Sequence, residues 1–245
     1  RAHGIAVYAY DQRGFGAASE PGIWGNNENL KRDLKQMLAA VAARHPRVPL
    51  YVLGESMGGA VAIAALAKES SPLEGEELNI AGIILSAPAV WGGDSMNPIY
   101  RGILWSMAHT VPDYKMTGSD LKIMASDNIP MLIALGKDPL VIKATRTDAI
   151  YGMVRLMDEA YAAIPRLDAR VLLLYGANDQ VIRRDPMEIA LARFAHPVTF
   201  AFYPKGYHML LRDLQNTVVL RDIASWTLHP DKPLPSGLGK QISGE

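Results

Sequence analysis

Short, nearly continuous apolar runs recur along the chain, at residues 4–10, 50–53, 80–86, 170–176 and 198–203. Each is stopped by glycine, proline or a polar turn, and each reads as a strand covered on both faces. Between them the pattern changes period. Leu30, Leu34, Met37, Leu38 and Val41 mark one face of an amphipathic helix that ends before Pro46. A small-residue run predicts a second helix reaching about Glu69, and residues 186–195 and 213–228 predict two more. The Pro- and Gly-rich tail from Pro230 is expected to be loosely held. Alternating strands and helices argue for an α/β fold, a mostly parallel sheet with helices on both faces. No internal repeat is present.

One segment breaks this rhythm. From Ala89 to Arg166 helical patches are interrupted by Pro98, Pro112, Pro130 and Pro139, with little strand character. Seven of the eleven methionines fall here, with Trp91 and Trp105. Methionine adapts to irregular apolar partners, so the segment suits either a site for flexible acyl chains or ordinary gap-filling core.

Composition narrows the classes. Of 245 residues, 49% are apolar, enough for one large domain or a domain with an insertion. Basic and acidic residues number 25 each, so no nucleic acid or other polyanion is expected as partner. The absence of cysteine excludes disulfides, a cysteine nucleophile and thiolate metal sites. No His-x-x-x-His pair or carboxylate cluster stands at ligand spacing, so neither metal nor cofactor is expected. No apolar run approaches the roughly 20 residues that cross a bilayer, and no strongly basic amphipathic face supports membrane contact. Oligomeric state is not legible. Nor is compartment, although a cytoplasmic one is favoured.

The chemistry centres on Gly54-Glu55-Ser56-Met57-Gly58, a G-x-S-x-G pattern between a strand and a small-residue helix. Such a turn lifts the Ser56 hydroxyl beyond the strand and sets it at a helix N-terminus, where unpaired N–H groups favour negative charge. Asp179 and His208 likewise follow strand ends, where open α/β sheets place their sites. Serine is a poor nucleophile until a base accepts its proton; imidazole suits that task, and a carboxylate fixes its tautomer. Plain structural roles compete: Asp179 is placed to cap the following helix, and Asp11 and Arg13 to brace their loop as a pair. His3, His45, His109, His196 and His229 are weaker candidates for the base, and Asp148 and Asp185 are the reserve acids.

These motifs, with Tyr10-Asp11-Gln12-Arg13-Gly14-Phe15-Gly16, Gly176-Ala177-Asn178-Asp179 and Gly206-Tyr207-His208, resemble the α/β-hydrolase superfamily. The nearest branch is the monoacylglycerol lipase and lysophospholipase-like group, also called serine aminopeptidase-like. The resemblance implies a hydrolase core over residues 1–88 and 167–245, with a helical cap inserted at 89–166. It implies Ser56 as nucleophile, Asp179 as acid, His208 as base and the Met57 N–H as one oxyanion donor.

Members of that family carry further strands before the one at Ile5. A loop beginning with His-Gly after one of them supplies the second oxyanion N–H, and His3-Gly4 does not match it. The resemblance therefore implies that N-terminal strands are absent from this chain, including a central one. Losing one oxyanion donor costs about 10²–10³ in turnover, so weak or no activity is expected of the chain as written. For the intact enzyme the expected reaction is ester hydrolysis through an acyl-serine, on single-chain lipids such as monoacylglycerols or lysophospholipids. A small-ester carboxylesterase or lactonase is the alternative within the class, and a non-catalytic binding protein of the same fold the alternative outside it.

Overall fold

The computed structural model describes residues 3–68, 79–91, 96–118 and 123–242. Its elements run α1 (Asn27–Arg44), β1 (Leu50–Glu55), α2 (Met57–Leu66), β2 (Ile80–Ser86), α3 (Pro98–Thr110) and β3 (Lys115–Thr117). They continue with α4 (Ile129–Lys137), β4 (Ala144–Arg146), α5 (Thr147–Ala163), β5 (Val171–Gly176), α6 (Arg184–Leu191), β6 (Val198–Tyr203), α7 (Asn216–Leu228) and β7 (Gly239–Ile242). Five strands form one sheet in the order β1-β2-β5-β6-β7, parallel except for antiparallel β7. The connection expected at 71–79 lies outside the described residues apart from Asn79.

The continuous apolar runs are explained by what lies on either side. Ile83, Leu85, Leu173 and Tyr175 turn to one face, against Leu30, Leu34 and Leu38 of α1, the α2 alanines, and Leu156 and Ala160 of α5. Ile84, Leu172, Leu174 and Tyr203 turn to the other, against Val219 and Trp226 of α7. Each fully buried leucine contributes roughly 1.5–3 kcal/mol relative to exposure. Gly82 and Gly152 leave room for aromatic rings: a methyl on Gly152 would lie 2.2 Å from the Trp24 indole nitrogen.

Four expectations need correction. Residues 5–12 form no strand, and Val7 is 80% exposed. No neighbouring backbone pairs with this run among the described residues; it is held instead by Tyr8, whose hydroxyl meets His45 Nε2 at 2.7 Å. The α2 helix stops at Leu66, short of Glu69. The tail is not loose throughout. Residues 239–242 add β7 to the sheet, and buried Asp222 accepts the Ser236 N–H. Asp11 and Arg13 do not pair: Arg13 forks onto Asp33 of α1, and Asp11 accepts the Ala17 N–H.

The 89–166 segment contains α3, α4 and α5 together with a short antiparallel ribbon, β3–β4. Neither α3 nor α4 buries a residue fully. By contrast α5 buries Leu156, Met157, Ala160 and Ala163 in the main core.

Candidate active site

Gly54, the last residue but one of β1, packs closely against the start of α2. A methyl there would lie 2.5 Å from the Gly58 carbonyl oxygen and 2.7 Å from the Gly59 Cα, so only glycine fits. Ser56 forms the tip with φ +51°, a conformation few side-chain-bearing residues adopt and one that costs on the order of 1–3 kcal/mol. Backbone bonds hold it there: Ser56 N–H donates to the Ser86 carbonyl at 2.9 Å, and its carbonyl accepts from Ala89 N–H at 2.9 Å. The hydroxyl caps no N–H of α2, which leaves it available for other chemistry.

Asp179 and His208 are brought together by two loops. His208 Nδ1 lies 2.9 Å from Asp179 Oδ2, with the Asp179 side chain fully buried and that of His208 9% exposed. The other carboxylate oxygen, Oδ1, accepts the Val181 and Ile182 N–H groups at 2.8 and 2.9 Å. Asp179 thus serves the following turn and the imidazole at once; it does not cap the next helix, α6, which starts at Arg184 behind Arg183 and has no side-chain cap. Behind it, Asn178 N–H donates to the Gly206 carbonyl at 2.8 Å, joining the two loops through their backbones.

Glu55, beside the expected nucleophile, completes the electrostatics. Burial pushes its carboxyl above the ordinary glutamate range, and the nearby His208 and Arg212 charges oppose that rise. No hydrogen bond joins the Ser56 hydroxyl to His208 among the described residues. Met57 opens α2, half-buried against the core, with its N–H in the first, unpaired turn.

The other candidates have different partners. His109 Nδ1 meets the Trp105 carbonyl, His196 meets Asp168, Asp148 is held by Arg146, and Asp185 stands 3.8 Å from Arg183. Among the described residues no group of three side chains could hold a metal ion, and no helix is long and apolar enough to cross a membrane. A cavity of about 800 Å³ opens beside Arg170 and Trp226, at the amino ends of β5 and β6. Ligands of open parallel sheets bind at the carboxyl ends, where Ser56, Asp179 and His208 all lie; this cavity opens at the opposite end of the sheet.

Comparison with known proteins agrees with the fold and the motifs. The family model described as "Serine aminopeptidase, S33" matches residues 1–215. The monoacylglycerol lipase of Mycolicibacterium smegmatis is 28% identical over 232 residues, spanning 92% of this chain and 79% of that protein. The monoglyceride lipase of Rattus norvegicus is 26% identical over 234 residues, spanning 92% and 74%. Among solved structures, the Paleococcus ferrophilus monoacylglycerol lipase superposes with a TM-score of 0.74 at 19% identity, covering 93% of this chain and 84% of that one.

Proposed function

The chain belongs to the serine aminopeptidase S33 family, an α/β-hydrolase family, and from that membership we propose that it hydrolyses carboxylic esters through an acyl-serine intermediate. The observation that carries the reading is the 2.9 Å contact between Asp179 Oδ2 and His208 Nδ1, at the same sheet end as the strained Ser56.

The roles follow from the chemistry. Ser56 Oγ attacks the ester carbonyl carbon while His208 Nε2 takes the hydroxyl proton. Asp179 holds the Nδ1 tautomer and stabilises the imidazolium. The oxyanion forms against the N-terminus of α2, where the Met57 N–H is one donor. As the carbon–oxygen bond to the alcohol breaks, His208 returns the proton to the leaving oxygen. Water then adds by the same route, His208 again taking and returning a proton, and the acid is released with Ser56 restored.

The substrate class is a monoacylglycerol or similar single-chain lipid ester. Support comes from the relatives' own activities and from the segment 89–166, read as a cap in which the exposed Met116, Met124 and Trp105 offer adaptable apolar contact. A fluorophosphonate probe should label the wild-type protein at Ser56 and leave Ser56→Ala unlabelled; equal labelling of both ends the proposal. Rates on p-nitrophenyl esters should rise with acyl length, whereas a maximum at acetate would assign a small-ester esterase instead.

A further inference from the structure

Residues 124–128, between β3 and α4, bond to both loops that carry the acid and the base. Met124 N–H donates to Gln180 Oε1, next to Asp179, at 2.9 Å. The Ala125 carbonyl accepts the N–H of Met209, next to His208, at 2.9 Å. Asp127 Oδ1 accepts the Leu214 N–H and Asn128 Nδ2 donates to the Arg212 carbonyl, each at 2.9 Å.

At the centre lies a buried pair. Ser126 Oγ donates to Asp213 Oδ1 at 2.6 Å, with the two residues 0% and 1% exposed. The second oxygen of Asp213 accepts the Tyr207 N–H at 2.8 Å. The backbone is thereby held on both sides of His208: at Tyr207 through Asp213, and at Met209 through Ala125. A buried carboxylate is costly unless its oxygens are satisfied. Burial pushes Asp213 toward its neutral form, and the Ser126 and Tyr207 bonds oppose this. Networks satisfied in this way select one arrangement over its neighbours.

We propose that Ser126 and Asp213 are positioning residues for the acid–base pair, through which the inserted segment sets the placement of His208. The proposal rests on the acyl-serine reading above. The route is mechanical. Asn128 caps α4, accepting the Met131 N–H, while its amide holds the Arg212 carbonyl. The start of α4 is thus bonded to the loop that carries the base. Displacing a reacting group by about 1 Å can cost on the order of 100-fold in rate, so small slips of this strap reach the chemistry.

The test uses the purified protein, its Ser126→Ala, Asp213→Asn and Asp213→Ala variants, and p-nitrophenyl acetate. Active sites are counted by fluorophosphonate titration. Ser126→Ala should lower kcat per titrated site by about 10- to 100-fold, with KM changed less than twofold. Asp213→Asn, which keeps an acceptor for Tyr207, should retain more kcat than Asp213→Ala. The downfield proton of the His208–Asp179 bond should broaden in Ser126→Ala. Wild-type kcat per titrated site in Ser126→Ala, with only the titratable fraction or Tm reduced, assigns the pair a purely structural role and overturns the proposal. Failure of the wild type to label at Ser56 removes the enzyme reading and this proposal with it.

Discussion

Gly176 and Gly206 approach so closely that a Cβ on Gly176 would lie 2.5 Å from the Gly206 carbonyl carbon and equally close to the Tyr207 carbonyl oxygen. The atoms it would meet are backbone, which cannot swing aside. Gly176→Ala should therefore cost about 1–3 kcal/mol in urea unfolding. Activity should fall further than stability predicts, because the two loops forced apart carry Asp179 and His208. A variant with unchanged kcat would show that the close approach does not set the acid–base geometry.

Asp179 divides its oxygens between a turn and a ring, and asparagine separates those tasks. Asp179→Asn keeps an oxygen for the Val181 and Ile182 N–H groups but presents an amide to His208. The fold should survive with Tm nearly unchanged, while kcat falls about 10⁴-fold through the wrong tautomer. Asp179→Ala should lose both, showing a lower Tm as well.

Glu55 gives a pH signature. Its folded-state affinity for a proton is raised by burial, so the folded protein holds that proton to higher pH than the unfolded chain does. Stability from this group is then fully present below the ordinary value of about 4.3 and is lost as pH rises toward the raised folded value. Glu55→Gln removes the penalty on the charged form. Its Tm should exceed the wild type's at pH 7, and the difference should vanish near pH 4. An equal difference at both pH values would count against burial as the cause.

The tail contributes to stability. Asp222 is fully buried and accepts both the Tyr203 hydroxyl at 2.9 Å and the Ser236 N–H at 3.0 Å. Asp222→Ala leaves both donors unpaired and should cost about 1–3 kcal/mol for each that stays buried. Tyr203→Phe should then cost less in the Asp222→Ala background than in the wild type. Strictly additive losses in urea would mean that the bond contributes nothing.

Much of this was legible in the sequence because local rules and the fold agree. Apolar runs located β2, β5 and β6, and Gly54-Glu55-Ser56-Met57-Gly58 located the turn at Ser56. Where they failed, the deciding interaction was distant. Residues 5–10 have strand composition but no strand beside them among the described residues, and residues 239–242 have little such composition yet pair with β6. Arg13 chose Asp33, twenty residues away, over Asp11. Ser126 and Asp213 gave no signal at all, since the serine acquires its role only when the fold brings to it Asp213, 87 positions further along the chain.

The placement of α5 bears on how this fold could be re-engineered. Because Leu156, Met157, Ala160 and Ala163 belong to the main core, a chimera that exchanged the whole stretch between β2 and β5 for a relative's would excise part of the scaffold along with α3, α4 and the β3–β4 ribbon. Grafts bounded by the start of α3 and the end of β4 would leave that scaffold whole. An exchangeable module therefore ends on the β2 side of Thr147.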